Sequence, residues 1–164
     1  DAATTTLSPD RVVDMLADAL RQLHSIAIHD CPFPASIDDC IAEARVRLDH
    51  GRVDVTNLDP VNLGRDPHEL FQGILATRPA DGAAVFTHGD YCLPNVIIDG
   101  DAVSGFVDVG RAGIGDPYRD LALIDRTLQR NLDADWSGRF FTRFGLPEPD
   151  PARLRYFRLL DEFF

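Results

Sequence analysis

Lysine is missing altogether: all 16 basic residues of the 164-residue chain are arginine, set against 23 aspartates and 4 glutamates. The formal charge of −11 at pH 7 has the wrong sign for wrapping nucleic acid or for adhering to an anionic membrane surface, and it favours a cationic partner. Cysteine is scarce. Cys31, Cys40 and Cys92 are odd in number and form no C-x-x-C pair, so neither a disulfide framework nor a zinc knuckle is indicated, and a reducing, cytoplasmic compartment is expected. No apolar run approaches the roughly 20 residues of a membrane-spanning helix. No basic stretch followed by an apolar one opens the chain, so no export signal is read at its start. What is left is a soluble globular chain, 45% hydrophobic and 26% charged. A chain of this length buries roughly 70% of the surface exposed by its unfolded form.

Helical periodicity opens the chain. Ser8 is placed to cap a helix, Pro9 suits its first turn, and Val12, Val13, Leu16, Leu20 and Leu23 recur on one face. A second helix is expected after Ser36, with Ile37, Ile41, Ala44 and Leu48 inward and Gly51 as its stop. Residues 52–66 hold no such period and read as an acidic-to-polar loop before a helix at 67–78. The period then becomes extended. Ala84–Thr87 precedes His88-Gly89-Asp90, and the apolar runs Val96–Ile98 and Val103–Val107 flank Asp99-Gly100-Asp101, a strong hairpin signal. Such a hairpin makes Asn95 and Asp108 spatial neighbours. Three more helices are expected: from Asp116-Pro117 to about Asn131, over about 134–144, and from Asp150-Pro151 to Phe164. The predicted architecture is α+β and mainly helical, around one short antiparallel hairpin.

The chemistry concentrates around that hairpin. His88-Gly89-Asp90-Tyr91-Cys92-Leu93-Pro94-Asn95 places an aspartate five positions before an asparagine, the spacing of the H-R-D-x-x-x-x-N loop of kinases, with Gly in place of Arg. Thirteen residues after Asn95, Asp108 follows Gly105-Phe106-Val107, where a kinase carries the magnesium-binding Asp of D-F-G. Phosphoryl transfer explains these residue types, because one carboxylate must accept or orient a hydroxyl proton while a second carboxylate plus an amide oxygen hold the hard magnesium ions that bridge nucleotide phosphates. A bland reading stands beside this one, with Asp90, Asn95 and Asp108 as ordinary turn-forming residues. His88 reads as a core residue bracing the loop rather than as a base. His24, His29, His50 and His68 make no metal-ligand spacing.

From Val85 to Phe164 the sequence resembles the C-terminal lobe of the aminoglycoside 3'-phosphotransferases, kinase-like antibiotic-resistance enzymes of the neomycin and kanamycin type. The resemblance is carried by His88-Gly89-Asp90-x-Cys92-Leu93-Pro94-Asn95, Ser104-Gly105-Phe106-Val107-Asp108-x-Gly110-Arg111, Tyr118-x-Asp120-x-Ala122-Leu123 with Arg126, Trp136, and the closing Tyr156–Phe164 segment. The N-terminal half agrees more loosely, at Ala17–His24 and Cys31-Pro32-Phe33. The resemblance implies transfer of the ATP γ-phosphoryl group to the 3'-hydroxyl of an aminoglycoside, with Asp90 as the catalytic carboxylate and Asn95 and Asp108 as Mg2+ ligands. It also implies that the cationic substrate meets Asn57, Asp59, Asp161, Glu162 and the Phe164 carboxylate. Arg111 and Arg126 match positions near the substrate; the alternative is that they form ion pairs organising nearby aspartates. Asn57 and Pro60 stand where related enzymes carry acids, as does Thr127 beside Arg126, which puts the range of antibiotics in doubt more than the chemistry.

A kinase also needs a glycine-rich loop and a small-lobe lysine, and this chain has neither. Residues 1–23 already resemble the first helices of the large lobe. Residues 1–164 are therefore expected to be a kinase-like large lobe, the N-terminal nucleotide-binding lobe to lie upstream, and the chain alone to have negligible kinase activity. Two other functions are open: a kinase of another small hydroxylated substrate such as choline, homoserine or a sugar-amine, and a non-catalytic acidic module that binds cations.

Overall fold

Capping and turn residues mark out most of the elements in the computed structural model, which describes residues 7–132 and 135–164. Helix α1 (Pro9–His24) starts at Ser8, but the Ser8 side chain caps no backbone N–H. It hydrogen-bonds the Asp10 side chain and helps hold that carboxyl below its usual range. Strand β1 (Pro34–Ala35) leads to α2 (Ile37–Asp49), which opens on a reciprocal capping box between Ser36 and Asp39. The 52–66 segment is a loop, as expected, and α3 (Pro67–Ala76) follows it, capped by Asp66. It stops two residues short of the expected 78, before the extended Pro79 segment.

Strand β2 (Val85–Thr87), a 3-10 turn at Leu93–Asn95, β3 (Val96–Asp99) and β4 (Ala102–Phe106) come next. The β3–β4 hairpin forms across Asp99–Asp101 as expected, with Val96 opposite Phe106 and a bulge between Ile97 and Ile98. It is not the only sheet. Strand β5 (Gly113–Gly115) pairs parallel with β1 and antiparallel with β2, a small three-stranded sheet that the sequence pattern did not announce. Its glycines permit it: a Cβ at residue 113 would lie 2.6 Å from the Phe33 carbonyl oxygen and one at residue 115 would lie 2.4 Å from that of Ala35.

Helix α4 (Tyr118–Asn131) begins after Asp116, whose carboxylate accepts the Tyr118 N–H at 2.9 Å. Helix α5 (Asp135–Phe144) follows; residue 134, where it was expected to start, lies outside the described residues. Helix α6 (Pro151–Asp161) is capped by Asp150 and ends before the expected Phe164. Its last residues turn tighter, with Phe164 N–H on the Asp161 carbonyl at 3.1 Å. In this arrangement Arg47 of α2 donates to the carbonyl oxygens of both Phe163 and Phe164.

α1 packs along α5 and α4 along α6. The core between them is built from Val13, Leu16, Leu20, Leu70, Phe71, Ile124, Phe140 and Phe163. The β3–β4 hairpin is fastened to this helical body through Tyr91, whose hydroxyl donates to the Leu16 carbonyl at 2.8 Å, and through the ring contacts of Tyr91 and His88 with Phe106. The loop between β2 and the hairpin is thus held at the junction of helices and sheet.

Candidate active site

Strand β2 turns abruptly into the loop that carries Asp90. Only glycine suits the turn: Gly89 has φ +84°, and a Cβ there would lie 2.3 Å from the Arg111 carbonyl oxygen. That close approach explains why this loop reads H-G-D, because a side chain at residue 89 would push away the strand of chain leading to β5.

Three buried groups fix the loop from beneath. Asp120, wholly buried on α4, accepts the Gly89 N–H at 2.8 Å on one oxygen and the His88 N–H at 2.9 Å on the other. His24, the last residue of α1, places Nε2 2.9 Å from that second oxygen. The buried His88 ring accepts the Asp90 N–H on Nδ1 at 3.2 Å. Its proton is thereby assigned to Nε2, which donates to the Val107 carbonyl at 3.1 Å. His88 therefore braces the loop against the residue that precedes Asp108, the part its sequence context indicated.

Asn95 closes the loop on itself. Its Nδ2 donates to the Asp90 carboxylate at 2.8 Å and to the Asp90 carbonyl at 3.0 Å. With the amide nitrogen turned to Asp90, the amide oxygen is directed away from it. The Asn95 carbonyl accepts the Val107 N–H at 3.0 Å, extending the hairpin pairing one step beyond Val96–Phe106, up to the residue before Asp108. Asp108 is exposed and has φ +55°, the only positive φ outside glycine among the described residues. Such a conformation costs about 1–3 kcal/mol and is tolerated where the surroundings over-determine it. Here Val107 is pinned at both its N–H and its carbonyl.

Asp90, Asn95 and Asp108 offer two carboxylates and an amide, all hard oxygen ligands of the kind magnesium takes. Among the described residues no group of three or more His, Cys, Asp or Glu side chains forms a metal cage. Cys92 records the local field. Burial, then the Asp90 carboxylate and more weakly Asp161, push its thiol up to about 12.

A second cluster surrounds Asp161. Arg111 and Arg126 each donate to one of its oxygens, at 2.9 and 2.6 Å, so the ion-pair alternative raised for both arginines describes where they sit. The Arg111 guanidinium also lies 4.1 Å over the Phe164 ring. Glu162 accepts the Asp59 N–H and the Asn62 amide, both at 2.9 Å, and so ties the 52–66 loop to the end of α6. Asp59 meets Arg130 at 3.1 Å, while the Phe164 carbonyl is taken by Arg47 at 2.7 Å. Asn57 stands apart. It is exposed, its N–H on the Asp54 carbonyl at 3.2 Å, and no described contact ties it to the cluster.

Sequence reasoning gave no role to Asp120, Arg47, Arg130 or Asn62. Asp120 alone left a trace: an acid at an inward position of an amphipathic helix, beside Leu121 and Ile124.

Residues 2–157 match the model of the phosphotransferase enzyme family. The chain belongs to that family. Its expected mainly helical, kinase-like fold is the one found among the family's solved structures. The aminoglycoside 3'-phosphotransferase of Niallia circulans is 37% identical over 153 residues, which cover 93% of this chain and 58% of that protein. A crystal structure of an aminoglycoside 3'-phosphotransferase of type VIII is similar with a TM-score of 0.91 at 32% identity, over 99% of this chain and 65% of that one. The Streptomyces rimosus aminoglycoside phosphotransferase APH(3'')-Id, in complex with ADP and streptomycin, gives 0.83 at 31% identity, over 99% and 66%. The chain thus spans about 58% of the length of the curated relatives first matched.

Proposed function

We propose that this chain is the substrate- and metal-holding large lobe of an aminoglycoside 3'-phosphotransferase, a cytoplasmic enzyme conferring resistance to kanamycin- and neomycin-class antibiotics. The observation that carries the proposal is the Asp90–Asn95 hydrogen bond of 2.8 Å, with the Asn95 carbonyl holding the N–H of Val107, the residue before Asp108. Asp90 gives one carboxylate oxygen to Asn95, its carboxylate also meets the Cys92 thiol, and it is the group that takes the proton of a substrate hydroxyl. As that hydroxyl oxygen bonds the γ-phosphorus of ATP, the bond from phosphorus to the β–γ bridging oxygen breaks and ADP departs. Asn95 Oδ1 and the Asp108 carboxylate are the groups that would hold Mg2+, which when bound with the nucleotide neutralises charge on the phosphate oxygens. The Asp161–Glu162 end of α6 and the Asp59 loop supply anionic surface for the ammonium groups of the antibiotic.

The nucleotide-binding lobe belongs to the part of the protein outside this chain. An apolar cleft of about 640 Å³ lined by Leu23, Phe33, Phe86, Phe106 and Val109 supports this. Phe33 is 60% exposed and Val109, next to Asp108 in the chain, 54%. Among the described residues no helix is long and apolar enough to cross a membrane.

The test is the position of transfer. A whole protein comprising this chain and its upstream coding sequence, given MgATP and kanamycin, is expected to yield kanamycin phosphorylated at the 3'-hydroxyl, read by phosphorus and carbon NMR of the product. Phosphate on a different hydroxyl, or on choline or homoserine in preference, overturns the proposal. The 164-residue chain alone is expected to show negligible turnover.

A further inference from the structure

Each acid assigned to the antibiotic's ammonium groups already has a partner, but the partners are not equally fixed. Asp161 has both oxygens engaged by Arg111 and Arg126 in a partly buried triad. Glu162 has both oxygens engaged by the 52–66 loop. Asp59 differs. Its backbone is held by Glu162, whereas its carboxylate, 21% exposed, meets among the described residues only the Arg130 guanidinium, 51% exposed in the last turn of α4. The carboxylate is therefore presented in a set place with an exchangeable partner.

We infer that Arg130 determines substrate specificity by competing with a ligand ammonium group for Asp59; this rests on the proposed reading of the 52–66 loop as a wall of the antibiotic site. The exchange of guanidinium for ammonium is neutral in charge, so no new charge has to be compensated. Released, Arg130 stays favourably placed, because a cation at a helix C-terminus is stabilised by the dipole. It also remains next to the ligand, where it repels any second ammonium group close to the first. The pair thus selects for an isolated ammonium group at Asp59 and against clustered ones.

The experiment is calorimetric titration of kanamycin into the intact protein at low salt, comparing wild type with Arg130→Gln, Arg130→Lys and Arg139→Gln. The last breaks an exposed pair with Asp14 on the α1–α5 face and changes net charge equally, so it controls for long-range attraction. An exposed ion pair is worth about 0.2–1 kcal/mol, a factor of about 1.5 to 5 in affinity. Arg130→Gln is expected to bind tighter by that factor, Arg130→Lys to stay near wild type, and Arg139→Gln to gain clearly less. In the Asp59→Asn background the gain should vanish. Binding unchanged or weakened by Arg130→Gln, a gain matched by Arg139→Gln, or a gain that survives Asp59→Asn overturns the competition while leaving the antibiotic reading in place. Kanamycin that binds none of the forms overturns the antibiotic reading itself and the competition with it.

Discussion

Replacing Asp120 with alanine removes the acceptor for three donors at once: the His88 N–H, the Gly89 N–H and the His24 ring nitrogen, at 2.9, 2.8 and 2.9 Å. The carboxylate is fully buried, so no water stands ready to replace it. A buried donor left unsatisfied costs about 1–3 kcal/mol, and two of the three are buried backbone N–H groups. A loss of about 4 kcal/mol is expected, a large part of the 5–15 kcal/mol typical of a folded domain. With a urea dependence of about 2 kcal/mol per molar, the unfolding midpoint should fall by about 2 M. Asp120→Asn keeps the volume and one acceptor oxygen but sets an NH2 against a donor, and should lose about half as much. Hydrogen exchange localises the effect: the His88 and Gly89 amides should lose protection in Asp120→Asn while the α1 amides keep theirs. An alanine variant within 1 kcal/mol of wild type would refute the view that α4 holds the loop through this carboxylate.

Further perturbations probe other joints. Gly51→Ala meets only backbone strain, since φ is +62° with open space around it, and should cost about 1–2 kcal/mol by denaturant titration. Gly89→Ala adds a collision with the Arg111 carbonyl and should cost clearly more; equal costs would contradict the close approach. The Cys92 thiol, pushed up to about 12 by burial and then by Asp90, should alkylate slowly, its rate still rising through pH 10 when followed by mass spectrometry. Because its folded value is raised, the linked stability is intact below about pH 9 and is lost as pH climbs toward 12. Asp18 is held below the usual carboxylate range first by its hydrogen bond to Arg143. Stability from that pair is present above the ordinary carboxylate value and fades as pH falls through the lowered one. Arg143→Gln should therefore lower stability slightly at pH 7 and leave it unchanged once Asp18 is protonated in acid; a gap that persists there would contradict the assignment.

Local chemistry made the helices and the hairpin readable from sequence. Ser36 for α2, Asp150-Pro151 for α6 and Asp99-Gly100 for the hairpin each specify a boundary within a few residues of themselves. The hairpin then made the pairing of Asn95 with Val107, the residue before Asp108, a matter of register. Contacts between distant segments were hidden. Strand β5 is two glycines around Ile114, a composition with low strand propensity, and it exists because Phe33 and Ala35 run alongside. The end of α6 was placed too late because the engagement of Phe163 and Phe164 by Arg47 depends on a residue more than a hundred positions away. The partners of the acids were equally out of reach: with sixteen identical bases, nothing in the sequence separates Arg130 from Arg139. Those pairings also weaken the reading of the chain as a simple acidic cation-binding module, because Asp14, Asp18, Asp59, Asp116, Asp125 and Asp161 all face arginines.

At the centre stands our proposal that Asp90, held by Asn95, handles the proton of the acceptor hydroxyl. Its most direct test is the turnover of kanamycin by the whole protein carrying Asp90→Ala, with antibiotic binding measured on the same preparation. A drop in kcat of at least about 100-fold with a modest change in Kd is the predicted result. Turnover within a few-fold of wild type would contradict it.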